Sequence, residues 1–149
     1  EAAAHAAVVA ELEDRWRRAL ADLDNLRKRC ARELERERAA ERARVAAAWL
    51  PVVDDLDRAL AHATDDSNPI IEGMRAVRDH ALTVLAGLGY PRYEEVGVPF
   101  DPARHEAVKV VDDAEAAPGT VVEVLRPGYG QEERWLRPAS VAVATARRE

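Results

Sequence analysis

The sequence contains one cysteine, Cys30, among its 149 residues, so a disulfide within one chain is excluded. It also has no hydrophobic signal core and no apolar run of about 18 residues, the length that a membrane-spanning helix needs. These absences predict a chain without a membrane segment that resides in a reducing, cytoplasmic compartment.

Aromatic residues are also scarce, at 5% of the chain, and much of the hydrophobic content is alanine. Charged residues make up 34% of the sequence, above the roughly 25% that is usual for globular chains. This composition favours an elongated helical body over a large compact core.

No set of residues suggests catalysis, a metal ion or a cofactor. The four histidines are dispersed, and with one cysteine a zinc site is disfavoured: His5, His62, His80 and His105. The glycines are scattered singly, so no phosphate-binding loop is present. In the segment PFDPARHEAV, Asp101 and His105 are predicted to fix a loop by hydrogen bonds, because no nucleophile accompanies them. We therefore expect a protein that is not an enzyme.

The net charge of −6 is unevenly distributed along the chain. From Glu11 to Arg44 there are 11 basic and 9 acidic residues, and from Pro51 onward 11 basic and 18 acidic residues. Arg and Glu alternate closely in the first segment, which is typical of a solvated helix face with ion pairs. Nucleic-acid binding requires a patch of one sign, so it is not expected.

No glycine or proline occurs between Ala2 and Leu50, which predicts one long helix. Apolar residues follow a heptad-like seam at Leu12, Trp16, Ala19, Leu23, Leu26 and Cys30. An 11-residue repeat also fits, at Leu12, Leu23, Leu34 and Val45, and predicts a nearly straight seam. The seam predicts pairing with a second copy of the chain; the alternative is a charged helix that stays alone in solution.

The middle of the chain predicts two short helices. Pro51 is expected to end or kink the long helix and to begin the first of them, with Asp54, Asp55 and Asp57 in its first turns, where the helix dipole favours negative charge. After a polar loop at Thr64–Asn68, the second helix begins at Pro69 and ends at Gly89. Neither helix is long enough to be stable alone, so a four-helix bundle across a dimer axis is expected. Gly73 predicts a close helix approach in that bundle.

Beyond Tyr90 the pattern changes to short alternating runs that predict a small β-sheet domain. The predicted strands are Tyr93–Val96, Ala107–Val111, Thr120–Leu125, Arg134–Leu136 and Ser140–Val143. The predicted turns are Gly97–Pro99, Ala117–Gly119 and Gly128–Gln131. The predicted fold class is therefore α+β, with a dimerising helix at residues 1–50, bundle helices at 51–89 and a β domain at 90–149.

Four segments together resemble the GrpE family, the nucleotide exchange factors of DnaK-type heat-shock chaperones. They are DNLRKR at Asp24–Arg29, LPVVDDLDRAL at Leu50–Leu60, PFDPARHEAV at Pro99–Val108 and GYGQEERWLRPASVAV at Gly128–Val143. The segment IEGM at Ile71–Met74 also fits the family's bundle helix. The resemblance covers nearly all of the chain from about Ala21 onward.

The resemblance implies a parallel homodimer that engages one DnaK-type ATPase domain, inserts a β domain into its nucleotide cleft and releases ADP. This role belongs to protein folding and the heat-stress response. The implied chaperone contacts are Leu125, Arg134 and Val143 in the β domain and Arg27, Arg36 and Arg58 in the helical part. The expected dimer contacts are Leu12, Trp16, Leu23, Leu26, Cys30, Leu34, Val45 and Gly73. The alternative is a structural coiled-coil scaffold without exchange activity.

Overall fold

The computed structural model describes residues 1–64, 68–113 and 115–145. It contains two compact units, Glu1–Arg42 and Ala43–Glu149. Its helices are α1 (Ala2–Ala61) and α2 (Pro69–Gly87). Its strands are β1 (Arg92–Tyr93), β2 (His105–Val111), β3 (Val121–Arg126), β4 (Gly128–Gln131), β5 (Arg134–Arg137) and β6 (Ala139–Ala144). The predicted α+β class is confirmed, whereas the four-helix bundle and the regions 1–50, 51–89 and 90–149 stay predictions.

The first unit consists of the N-terminal part of α1, in which every residue is exposed. Acidic and basic side chains pair one helical turn apart on this surface, as between Lys28 and Asp24 at 2.6 Å. Further pairs join Arg15 to Glu11, Arg17 to Glu13, Arg18 to Asp14, and Arg29 to Glu33. Each such pair stabilises a helix by about 0.3–0.5 kcal/mol. The interpretation of the alternating charges as a solvated, ion-paired face is confirmed.

Helix α1 runs through Pro51 and ends at Ala61, so the expectation that a new helix begins at Pro51 is wrong. Proline removes one backbone hydrogen bond and crowds the preceding turn, at a cost of about 3 kcal/mol. On both sides of it, however, Ala46, Leu50 and Val53 are buried in one core. Burying such side chains contributes about 1.5–3 kcal/mol each for leucine and valine, which offsets the loss. The first of the two predicted short helices is thus the C-terminal part of α1.

Helix α2 begins as predicted, because the Asn68 side chain accepts a hydrogen bond of 2.9 Å from the Ile70 N–H. At its other end Leu88 caps the helix and Gly89 adopts a φ of +96°, a left-handed conformation that favours glycine. The predicted polar loop Thr64–Asn68 falls largely on residues 65–67, which lie outside the described residues. The helix therefore starts and stops where its sequence signals place it.

The strands form two three-stranded sheets. One has the order β1-β4-β5 and is antiparallel throughout. The other has the order β2-β6-β3, in which β6 lies parallel to β2 and antiparallel to β3. The sheets contribute residues to two hydrophobic cores. Val121, Ala139 and Val141 are buried in one of them. In the other, Tyr129 packs with buried residues of α1 and α2, among them Leu50 and Leu85.

The segment Gly128–Gln131 has the sequence of a predicted turn but forms β4, so this expectation is wrong. Its Tyr129 is fully buried, and its two glycines are required by close backbone approaches. A Cβ at Gly128 would lie 2.7 Å from the Ala139 nitrogen. Gly97–Pro99 and Ala117–Gly119 do lie between strands, with positive φ at Gly97 and Gly119. Strand β1 is limited to Arg92–Tyr93 and does not extend to Val96.

Candidate protein-binding site

The predicted dimer seam is exposed along its full length. Leu23 has 42% of its surface accessible and Trp16 has 62%. The other seam residues are also exposed: Leu12, Leu26, Cys30, Leu34 and Val45. Rows of exposed apolar side chains of this kind typically mark a protein interaction surface. The structure contains one chain, so pairing of two copies through this seam stays a prediction.

A second exposed apolar surface lies on the second unit's helices. Its members are Trp49 and Val52 of α1, Ile70, Val77 and Val84 of α2, and Leu88 just after α2. Gly73 is exposed, and a Cβ added to it would meet no atom within 4 Å. Among the described residues, no atom therefore makes the close approach that is predicted at Gly73, and the prediction that Gly73 meets a second chain stays untested.

The predicted β-domain contacts differ in their exposure. Leu125 of β3 is 47% accessible, and Arg134 of β5 is exposed with its guanidinium beside Gly89. Val143 of β6 is half-buried and packs against the core of Val121, Ala139 and Val141. Val143 therefore has a structural role whether or not it also contacts a partner.

The structure does not gather these residues at one point. Val143 pairs with Val121, whereas Leu125 lies beside Val124, which pairs with Val141. At about 3.3 Å per residue, the Val121-to-Leu125 separation spans about 13 Å along the strand. Arg134 belongs to the other sheet. In the helical part Arg27, Arg36 and Arg58 are all exposed, and Arg58 forms an ion pair with Asp55.

An arginine–aspartate cluster that sequence reasoning missed lies between α1 and the sheets. The Asp54 carboxylate accepts two hydrogen bonds from the Arg137 guanidinium, at 2.6 Å and 2.5 Å, and one of 3.2 Å from Arg126. The expectation that Asp54, Asp55 and Asp57 lie in the first turns of a helix is wrong, because all three lie near the C-terminal end of α1, which ends at Ala61. Burial opposes ionisation of Asp54, but the hydrogen bonds and charges of Arg137 and Arg126 outweigh it and hold its pKa below the usual range.

Asp57, three residues further along α1, forms the second half of this cluster. It accepts hydrogen bonds from Arg92 at 2.6 Å and from Arg78 at 3.3 Å. Tyr129 lies between the two halves: the Arg137 guanidinium carbon is 5.2 Å from its ring centroid, and its hydroxyl is 3.4 Å from Arg92. Burial raises the pKa of the Tyr129 hydroxyl. We call Asp54, Asp57, Arg78, Arg92, Arg126, Tyr129 and Arg137 the arginine–aspartate cluster.

The predicted loop at Asp101 and His105 is confirmed. His105 is buried, and its Nδ1 accepts a hydrogen bond of 2.9 Å from the Asp101 N–H. Its proton therefore sits on Nε2, which donates to the Tyr93 hydroxyl at 3.1 Å. The Asp101 carboxylate in turn accepts hydrogen bonds from the Ala103 N–H and the Arg104 side chain. The neutral imidazole thus serves as a structural link between β2 and β1.

We expect acidification to weaken the fold through His105. Burial lowers the pKa of His105, as does the nearby Arg104 charge, against the opposing carboxylates of Asp101 and Glu95. A depressed histidine pKa leaves stability intact above the unfolded value of about 6.5 and reduces it as the pH falls below that value. One proton contributes a slope of at most about 1.4 kcal/mol per pH unit.

The measurement is the free energy of unfolding between about pH 8 and 5, on either side of the ordinary histidine pKa, for the wild type and for His105→Asn. Asparagine retains an acceptor for the Asp101 N–H but does not titrate. We expect this substitution to remove part of the wild type's acid destabilisation. Identical pH profiles for the two proteins would contradict the assigned role of His105.

Within residues 1–64, 68–113 and 115–145, no group of three or more His, Cys, Asp or Glu side chains could hold a metal ion. None of the helices in that part of the chain is long and apolar enough to cross a membrane.

The sequence is similar over most of its length to those of known proteins. A sequence model of the GrpE family matches residues 1–145. The protein named GrpE 2 of Streptomyces avermitilis is 70% identical over 135 residues, which cover 91% of this chain and 66% of that protein. The GrpE protein of Thermus thermophilus is 42% identical over 138 residues, covering 93% of this chain and 76% of that protein. That of Stenotrophomonas maltophilia is 43% identical over 124 residues, covering 83% and 72%. The chain thus spans just under two thirds of the Streptomyces relative's length.

Proposed function

The chain belongs to the GrpE family, and we propose that it is a nucleotide exchange factor that binds the ATPase domain of a DnaK-type chaperone and promotes ADP release. GrpE is a co-chaperone family and not a class of enzymes. The observation that carries the proposal is the family match across both helices and the β domain, at residues 1–145. In this role the protein participates in protein folding and the heat-stress response, and a cytoplasmic location stays a prediction.

We further propose that the active form is a homodimer that binds one chaperone. The support is the exposed apolar seam of α1 and the exposed apolar residues on α2 and on the end of α1. Each face buries little within one chain, and pairing two copies removes both from water. A parallel dimer with a four-helix bundle accounts for both surfaces, with Gly73 at a close approach of helices.

The proposed mechanism uses binding energy alone. A β domain enters the nucleotide cleft and binds preferentially to the open form of the ATPase domain, which shifts its population toward release of ADP. Leu125 would supply apolar contact and Arg134 a charged contact, and both side chains are exposed. Val143 would contribute only its accessible part. Arg27, Arg36 and Arg58 would face the chaperone from the helical part.

A structural scaffold is the second candidate function, favoured by the uninterrupted, fully exposed helix of residues 2–42. A scaffold function assigns no role to the β domain, where Leu125 and Arg134 are exposed. A stopped-flow measurement of labelled ADP release from a DnaK-type chaperone separates the two candidates. If the protein is an exchange factor, we expect micromolar protein to accelerate ADP release. An unchanged release rate would favour the scaffold function.

We expect Leu125→Ala to weaken chaperone engagement. Removing an exposed apolar contact from a protein interface raises the concentration needed for half-maximal exchange by about tenfold when that contact is a hot spot. Val108→Ala is the matched control, because Val108 is also an exposed aliphatic residue of a sheet and is not among the proposed contacts. Equal half-maximal concentrations for the two variants would remove Leu125 from the proposed contact surface.

A further inference from the structure

The arginine–aspartate cluster connects one face of α1 to every strand of one sheet. Arg92 belongs to β1, Tyr129 to β4, and Arg137 is the last residue of β5. Asp54 and Asp57 are three residues apart on α1, a spacing that puts both carboxylates on neighbouring parts of one helix face. The sheet β1-β4-β5 is therefore attached to the helix by two carboxylates at two different levels.

Two additional arginines extend these connections beyond that sheet. Arg126 is the last residue of β3 in the other sheet, and its guanidinium lies 3.2 Å from Asp54. Arg78 of α2 lies 3.3 Å from Asp57. Asp54 thus connects α1 to both sheets, and Asp57 connects α1 to both a sheet and the second helix.

The contact between Arg137 and Asp54 fixes the relative orientation of the two side chains as well as the distance between them. Arg137 presents two donors to the two oxygens of Asp54, and its Nε donates to the Pro127 carbonyl at 3.0 Å. A two-pronged contact of this kind restricts rotation, because the guanidinium and the carboxylate must stay coplanar. Apolar packing around Leu50 and Val53 is not directional in this way. The side chains of Asp54 and Arg137 are only 18% and 12% accessible, so water competes weakly for the pair.

We propose that Asp54 and Asp57 are positioning residues that hold the β sheets in a fixed orientation on α1, so that Arg58 of the helix and Leu125 and Arg134 of the sheets keep fixed positions relative to one another when they meet the partner. This inference rests on the proposed exchange function. Arg58 follows Asp57 on α1, and Leu125 precedes Arg126 on β3, so the backbone that carries each of these two proposed contacts is the backbone that the cluster holds in place. The cluster itself does not contact the chaperone.

Loss of this orientation has a specific kinetic consequence. When the sheets can move relative to α1, binding must first select the competent arrangement, and the apparent affinity falls by the fraction of molecules that have it. Once the complex forms, the same contacts act on the ATPase domain. The half-saturating concentration for exchange therefore rises, while the exchange rate at saturation is unchanged.

The test measures ADP release from a DnaK-type chaperone over a range of concentrations of the full chain, for the wild type, Asp54→Asn and Asp57→Asn. We expect a rise of about tenfold in the half-saturating concentration for each variant and a saturating rate equal to that of the wild type. Asp79→Asn is the control, because it makes the same chemical change at an exposed carboxylate that also pairs with Arg78. It should leave both quantities unchanged. All measurements are made at a temperature at which circular dichroism shows native helix content.

Arg137→Lys provides a second variant in case an asparagine substitution prevents folding. Lysine keeps the positive charge but loses the two-pronged contact, so we expect a smaller rise, about threefold, again without a change in the saturating rate. Unchanged half-saturating concentrations in the folded variants, or a fall confined to the saturating rate, would overturn the inference. A wild type that fails to accelerate ADP release would instead refute the proposed function itself.

Discussion

Substituting Gly130 with alanine is expected to destabilise the second unit by at least about 3 kcal/mol. Gly130 has a φ of +147°, a conformation that L side chains rarely adopt. A Cβ at this position would lie 2.3 Å from the Arg134 carbonyl oxygen and 2.7 Å from the Trp135 Cα. Both atoms belong to the backbone of the paired strand β5, so neither can move without disturbing the sheet. The adjacent Tyr129, which is fully buried, would be displaced with them.

The measurement is the midpoint of thermal or denaturant unfolding, followed by near-ultraviolet circular dichroism of the Trp135 and Tyr129 environment. Gly119→Ala is the matched control, because Gly119 also has a positive φ of +80° but a Cβ added there would meet no atom within 4 Å. We expect that control to lose about 1–2 kcal/mol from backbone strain alone. If both variants lost the same stability, the close approach of β4 and β5 at Gly130 would be contradicted.

The two glycines of β4 show why the sequence did not predict this strand. In GYGQ, Gly128 and Gly130 flank Tyr129, and closely spaced glycines usually indicate a turn. Their actual requirement is the close approach of backbone atoms from Pro138–Ala139 and Arg134–Trp135, which lie several residues later in the chain. Only the folded backbone, in which β4 lies against β5 and the start of β6, reveals that requirement. The tyrosine between the two glycines is the one local signal for a strand.

Local interactions, by contrast, follow directly from the sequence. The Asn68 side chain binds the N–H of Ile70, two residues away, and His105 binds the N–H of Asp101, four residues away. In both cases the residue types and their spacing determine the hydrogen bond. The exposed, ion-paired surface of α1 also follows from spacing, because residues four apart are neighbours on a helix.

The arginine–aspartate cluster has no local signal. Asp54 and Arg137 are 83 positions apart, and Asp57 and Arg92 are 35 apart. In isolation, a run of aspartates after Pro51 has the pattern of a helix N-terminus, which is why it predicts an interaction with the helix dipole. The buried residues around Pro51 reverse that interpretation, because they keep α1 continuous and turn Asp54 and Asp57 toward the sheets. The predicted contact residues Leu125, Arg134 and Arg58 are exposed, and their role stays a prediction.

Placing a charge on the α1 seam is expected to have the largest effect on assembly. In a parallel pair, Leu23→Glu puts a carboxylate into the seam from each of the two copies. Burying a leucine contributes at least about 1.5 kcal/mol, so losing two of them weakens pairing by about 3 kcal/mol or more. This corresponds to a rise of at least about 100-fold in the dimer dissociation constant, before repulsion between the two carboxylates is added.

Sedimentation velocity over a dilution series measures this dissociation constant, and Ala21→Glu provides the control. Ala21 is exposed, lies off the seam and gains the same charge, and glutamate is a good helix former at either position. Helix content at high concentration should therefore be similar in both variants, while only Leu23→Glu dissociates. Equal dissociation constants for the two variants would show that the copies do not pair through the seam. A wild type that stays monomeric would contradict the homodimer itself, and with it the arrangement in which one dimer binds one chaperone.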